Sequence, residues 1–245
     1  MPLSNALSLA IDKDYLAADY INKILSFSPM AYWPLNETSG VDADNAEGTA
    51  ARDGTYSGVT LDNSTGPDEQ PVGLWDGAND TCDIQTASLA SAFNGPAGTI
   101  AVWCKVINAG FWTDANNRAA FRVLADANNY VIIYSPVGHN TITMVYNAGA
   151  TTKQVIRSSY SPTSWFHLAM TWDAVAGATG EMKAFFDGDQ YGSTQILLGT
   201  WANSLTESNI GSNATPASVW SGWLAHAAVW DSALTPAQIA SLATV

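Results

Sequence analysis

The closing segment, residues 220–242, constrains this chain most. An apolar run over 223–230 passes through Asp231-Ser232-Ala233-Leu234 into Thr235-Pro236-Ala237-Gln238-Ile239. Thr235 with Gln238 three residues on is a capping box, and Pro236 stands at the first helical position, where a missing N–H costs nothing. A final strand closed by a short capped helix is expected.

From Met30 onward, short apolar segments separated by Gly, Asn, Asp and Ser clusters indicate an antiparallel sandwich rather than βαβ units. Over residues 165–173, Phe166, Leu168, Met170 and Trp172 alternate with His167, Ala169 and Thr171, the pattern of a half-buried strand. Residues 141–146 and 181–186 alternate similarly, and Ile100, Val102, Cys104 and Val106 share a face. Asp187-Gly188 and Asn209-Ile210-Gly211 supply turn chemistry, and about a dozen strands fit. The polar, Gly-punctuated stretch 42–69 is the longest expected loop region. The fold class is all-β, two antiparallel sheets with an N-terminal helix and a short C-terminal helix.

The N-terminal helix is expected over 12–26, with Asp12 as N-cap and Ala17, Tyr20, Ile21, Ile24 and Leu25 on one face. Asp19 and Lys23 make an i, i+4 pair on the opposite side, and Pro29 ends the segment. Such a helix is either a packing flap or an attachment element. Domain organisation reads as a helical arm, 1–29, and one sandwich domain, 30–245, with no internal repeat or linker.

At 245 residues one large domain is affordable, and 47% hydrophobic against 13% charged residues excludes a disordered chain. Nine basic residues against twenty-two acidic ones give a formal charge of −13, which argues against nucleic-acid partners and anionic membrane surfaces. The first residues carry no basic run before an apolar stretch, and no segment approaches a membrane span, so neither an export signal nor membrane insertion is expected. Cys82 and Cys104 fall on segments read as core strands, where buried free thiols are favoured over a disulfide.

Several segments in order resemble the laminin-G-like branch of the concanavalin A-like jelly rolls. They are Tyr32-Trp33-Pro34-Leu35-Asn36-Glu37 with Gly40; Gly54-Thr55-Tyr56-Ser57-Gly58; Trp75-Asp76-Gly77 with Asp80; residues 99–103; Trp165-Phe166-His167-Leu168-Ala169; Phe185-Phe186-Asp187-Gly188; and Trp220-Ser221-Gly222. The resemblance covers about residues 30–244. It implies a two-sheet jelly roll with rim loops open to ligands, and members that mostly bind sugars or proteins. The family's Asp-Glu pair in the last strand is replaced by Ala225-His226-Ala227 after Leu224, which argues against a structural calcium there and leaves backbone carbonyls and Glu37. Asp42, Asp44, Asn45 and Glu47, and the turn Asp76 and Asp80, are alternative ion-binding positions, though solvated loop carboxylates are favoured.

The catalytic Glu-x-Asp-x-x-Glu run of the related β-glucanases is absent; a retaining mechanism needs two carboxyls about 5 Å apart. Asp187 and Asp189, about 7 Å apart if extended, flank Gly188 and read as a turn. His139, His167 and His226 form no zinc pattern; His167 reads as a satisfied packing residue, and His226 has no assigned role. No nucleophile elbow, phosphate loop or dinucleotide motif occurs, so no catalytic residue, metal or cofactor is assigned. The candidate ligand-binding residues are aromatic: Trp112, Tyr130, Tyr134, Tyr146, Trp201 and Trp220, placed to project from strands or turns and stack on a pyranose.

The resulting expectation is a non-catalytic lectin-like module recognising glycans or a protein surface, outside a cell or on a virion, where the N-terminal arm could dock on a phage capsid. The alternatives are a purely structural capsid-decoration or fibre protein, with homo-oligomers conceivable, and a secreted glycan hydrolase with unfamiliar residues.

Overall fold

The computed structural model describes residues 13–138, 140–213 and 217–245. In chain order the elements are α1 (Lys13–Ser26), β1 (Ala31–Trp33), β2 (Asp42–Ala43), β3 (Gly54–Ser57), β4 (Thr60–Thr65), β5 (Pro71–Asp76) and β6 (Thr81–Asp83). Next come α2 (Ala87–Ala92), β7 (Ala97–Val106), β8 (Arg118–Asp126), β9 (Asn129–Ser135), β10 (Thr141–Ala148), β11 (Thr151–Ser158) and β12 (Phe166–Asp173). The last are β13 (Glu181–Phe186), β14 (Asp189–Ile196), β15 (Glu207–Ile210), β16 (Ser221–Trp230) and α3 (Pro236–Leu242). In the 42–69 stretch expected as loop, β3 falls where the resemblance places a strand, over Gly54–Ser57, but β2, a 3-10 turn over Ala50–Arg52 and β4 are present as well. β2 is two residues long and β4 is exposed at a sheet edge, so no apolar alternation marks either.

Two eight-stranded antiparallel sheets form the sandwich. One runs β14-β13-β12-β7-β16-β5-β4 with β1 also on β16; the other runs β11-β10-β9-β8-β15-β6-β3-β2. Their inner faces bury one large core, including Trp33, Trp75, Cys82, Val102, Cys104, Phe121, Met144 and Trp172. Both cysteines are unbridged, and burial pushes both thiols well above their ordinary pKa.

The outer faces differ. On the first sheet, α1 and α3 lie across the strands, and Tyr20, Ile24, Ile239 and Leu242 close over Tyr32, Trp103, Ala169, Phe185 and Trp230. Tyr20 donates its hydroxyl proton to the Leu242 carbonyl and accepts from Trp103 Nε1 at 2.7 Å. The β12 strand, expected to be half-buried, is therefore buried on both faces from Phe166 to Trp172. Of the open alternatives for α1, packing is what its inner side does: Ala17, Tyr20 and Ile24 are buried, as their spacing on one face predicted. Asp12 lies outside the described residues. Lys23 makes no ion pair with Asp19; it donates to the Thr244 carbonyl at 2.6 Å, tying α1 to the other end of the chain. The capping box of α3 is present, with both the Thr235 and Gln238 side chains engaged.

The strand β16 changes partner along its length. Ser221–Trp223 pairs with β5, Ala227–Val229 with β1, and its register against β7 slips between Ala225 and Ala228. His226 sits in that bulge at φ 51°, a left-handed conformation histidine tolerates better than a β-branched residue does, and donates its backbone N–H to the Pro34 carbonyl. The altered triplet of the last strand is thus the place where the strand bends.

Candidate functional site

Among the described residues, no helix covers the outer face of the second sheet. Its central strands present Ala119, Ile132 and Val145 as a small apolar floor, with the half-buried rings of Tyr130 and Tyr134 packed beside it. The antiparallel register generates this arrangement. Tyr134 stands opposite Thr143 and Ala119, Ile132 opposite Val145 and Arg122, and Tyr130 opposite Asn147 and Leu124. Period-two alternation then sends Ile133, Val131, Met144 and Tyr146 into the core.

Three depressions meet on this face. The central one, about 240 Å³, is lined by Asn117, Arg122, Tyr130, Ile132, Tyr134 and Val145 among others. Tyr134 also lines a neighbouring hollow of about 340 Å³ with Thr143, Gln154 and Ile156. Asn117 and Ser218 also line a polar rim pocket of about 240 Å³ beside Gly77, Ala78 and Asn116. Together they make an extended groove with an apolar floor, tyrosine walls and an amide-rich end.

Few charges reach the groove. Arg122 Nη1 donates to Glu207 Oε1 at 2.7 Å, and Asn209 Nδ2 donates to the same oxygen at 3.1 Å, so the guanidinium is anchored while most of its five N–H donors stay uncommitted among the described residues. Burial, then the neighbouring Tyr130, raises the Tyr134 phenol above its ordinary pKa against an opposing hydrogen bond with Thr143, so it remains a neutral O–H at physiological pH. Deeper in the rim, Arg118 is fixed by the carbonyls of Gly77 and Val219 and by Asp114. The described residues lining the central depression include no Asp or Glu.

Of the six aromatic candidates, only Tyr130 and Tyr134 come together at this surface. Trp112, Tyr146, Trp201 and Trp220 are buried in the core, which corrects the expectation that they project from it. Trp112 Nε1 donates to the Pro162 carbonyl and Trp220 Nε1 to that of Lys105, while Trp201 packs edge-on against Phe93 and Tyr146 stacks on Trp172. A Cβ at Gly95, φ 82°, would run into the Trp201 indole, so the glycine beside it is required by space and by backbone conformation. These rings were expected to project from strands or turns; instead Tyr146 lies on the inner side of β10, and Trp112, Trp201 and Trp220 fold into the same core. Arg122, Asn117 and the Val145 floor were missed by sequence reasoning; outward register on β8 and β10 is the sequence signal for Arg122 and Val145, and Asn117, just before β8, carries none.

The acidic positions considered for ions order their own loops. Glu37 accepts from the Asp44 N–H and the Tyr56 hydroxyl, Asp53 accepts from the Asn45 N–H, and Asp80 accepts from the Asp76 N–H at 2.6 Å. Among the described residues no three His, Cys, Asp or Glu side chains cluster as a metal site. Asp187 occupies a tight turn, accepting from the His167 N–H and the Tyr160 hydroxyl. His139 lies outside the described residues. His167 is buried against the Trp103 ring, but its Nδ1 has no hydrogen-bond partner among the described residues, which corrects the expectation of a satisfied packing residue. No described helix is long and apolar enough to cross a membrane.

Among curated proteins none matches the chain. In fold it is similar to domain 4 of an extracellular arabinanase from Geobacillus stearothermophilus, solved with arabinotriose: TM-score 0.63 at 15% identity, over 88% of this chain and 98% of that one. It is also similar to the receptor-binding domains of botulinum neurotoxin mosaic serotype C/D, TM-score 0.65 at 11% identity over 91% of this chain, and of type G, TM-score 0.58 at 11% over 88%. The chain spans about half of each neurotoxin domain, 51% and 50%. At such identities the likeness is one of fold. A family model described as the concanavalin A-like lectin/glucanases superfamily, laminin G type, matches residues 76–240, more than half of the chain. With the two-sheet jelly roll and its open outer face, that match makes this chain a member of the concanavalin A-like lectin/glucanase superfamily.

Proposed function

We propose that the protein is a non-catalytic lectin-like module that binds a glycan along the groove of the second sheet. The observation that carries this reading is the asymmetry of the outer faces: α1 and α3 close one, and the other is left open with two tyrosines over an apolar floor. Tyrosine faces suit the C–H side of a pyranose, and amides and a guanidinium suit its hydroxyls. The arabinanase domain holds a trisaccharide on the same fold, which supports a saccharide as ligand. The absence of a carboxylate pair among the described residues lining the central depression supports binding without turnover. The module would act outside a cell or on an assembled particle, with the exposed side of α1, Ala18, Asp19 and Asn22, as the face left for attachment.

A glycan array on the purified chain tests this. Saturable binding should fall about fivefold in Tyr134→Ala and in Tyr130→Ala, as expected for one lost stacking contact of about 1 kcal/mol. A silent array, or unchanged binding in both variants, overturns the groove; release of reducing ends from a bound polysaccharide overturns the non-catalytic reading.

A further inference from the structure

We propose a second saccharide site, on the first sheet and selective for an anionic sugar, built from Trp165, Lys105 and Trp223. It goes beyond the groove reading, because it lies on the opposite side of the sandwich. Lys105 of β7 pairs directly with Trp223 of β16, and Cys104 pairs with Phe166, which brings Trp165 level with Lys105 on the other side. The three residues form a cross-strand row on the part of the outer face that the helices leave uncovered, and all three are half-exposed. The ammonium lies 5.0 Å from the Trp223 ring centre and 6.0 Å from that of Trp165.

Both rings are held in place. Trp165 Nε1 donates to the Thr65 carbonyl at 3.2 Å and Trp223 Nε1 to Asn63 Oδ1 at 3.1 Å, both acceptors on β4. Their inner edges pack against the cluster under α1. A ligand therefore meets oriented indole faces and pays little ordering entropy.

Among the described residues the cation has no counter-charge. In a chain with twenty-two acidic residues, Arg52, Arg118, Arg122 and Lys183 each have a carboxylate within ion-pair distance, whereas Lys105, like Lys23, Lys153 and Arg157, has none among the described residues. Indole faces attract an ammonium but offer no lone pair in the way a carboxylate does, so its three N–H donors are open to a charge-assisted bond. The chemistry that fits is a pyranose stacked on one indole with its carboxylate or sulfate on Lys105 Nζ. At a net charge of −13, an anionic glycan is repelled at long range, so recognition has to come from such a local cation.

The test is calorimetric titration of the full chain with tetragalacturonate, a sulfated galactose tetramer and the neutral galactose tetramer. One or both acidic tetramers should bind, and the tighter one identifies the anionic group. Lys105→Gln and Trp223→Ala should each weaken acidic binding by at least about fivefold, a loss of roughly 1 kcal/mol, while Lys105→Arg keeps it and Tyr134→Ala leaves it unchanged. Lys105→Gln keeps the test valid if Trp223→Ala fails to fold. No saturable binding of either acidic tetramer, equal binding of the neutral one, or indifference to Lys105→Gln overturns the site. Loss in Tyr134→Ala alone would overturn it too, by assigning the acidic sugar to the groove.

Discussion

Asp68 Oδ2 and His226 Nε2 face each other at 3.2 Å with both side chains 1% exposed, within ion-pair distance but out of line for a hydrogen bond. Asp68 comes from the β4–β5 turn and His226 from the bulge of β16, and Tyr32 closes the chain at 2.7 Å from His226 Nδ1. A proton on Nε2, toward the carboxylate, leaves Nδ1 to accept from the tyrosine hydroxyl. The Tyr20 ring stands edge-on to the imidazole at 4.6 Å, so the helix-covered face is locked through one polar contact that ties a turn, a strand and α1 together.

Removing one partner of such a pair strands a buried polar group. Asp68→Asn and His226→Asn, the second a residue that accepts the left-handed backbone, should each lower unfolding free energy by about 3 kcal/mol or more. Urea denaturation of both and of the double variant should show a coupling above about 1 kcal/mol; additivity within about 0.5 kcal/mol would mean the two do not act together.

Stability should fall with pH in two stages. Burial, with the neighbouring His226 imidazole adding to it, lowers the pKa of His167 to about 3. The unfolded chain therefore takes up a proton below about 6.5 that the folded chain refuses, and stability present above that value is lost as pH falls, by about 1.4 kcal/mol per pH unit. Asp68 adds a second stage: burial works to raise its carboxyl, but the His226 contact and the Gln70 N–H outweigh it and hold it below the ordinary value, so its contribution is present above about 3.9 and lost below. His167→Leu should remove one proton from the slope between pH 6 and 4 (about those limits) in urea midpoints measured across pH. An unchanged slope would assign the acid sensitivity elsewhere.

The buried aromatics belong to stability. Trp112→Ala, Trp201→Ala and Trp220→Ala should each cost about 3–5 kcal/mol and weaken the near-ultraviolet circular dichroism, because each empties a packed site in the common core. Tyr130→Ala and Tyr134→Ala, half-exposed on the open face, should cost less than about 1.5 kcal/mol. Thermal melts of the five variants check the division, and equal losses in both sets would place the two tyrosines in the core as well.

Local chemistry made several elements legible. The Thr235–Gln238 box fixed where α3 begins, the alternation from Phe166 to Trp172 fixed which side of β12 faces the core, and the 3.6-residue spacing of Ala17, Tyr20 and Ile24 fixed the packed side of α1. These are decided by residues within a turn or two of each other.

What covers the outer faces was settled by tertiary structure alone. Tyr20 reaches Trp103 across 83 positions and Leu242 across 222, and Tyr32 meets His226 across 194. Strand periodicity separates two sides of a sheet but carries no information on which side a distant helix will close. Trp112, Tyr146, Trp201 and Trp220 could therefore be read as surface rings, and the Tyr130 and Tyr134 pair could be distinguished from them only once α1 and α3 had taken the opposite face. The physical reason is that burial is a property of the whole chain's packing, whereas capping and alternation are properties of its neighbours in sequence.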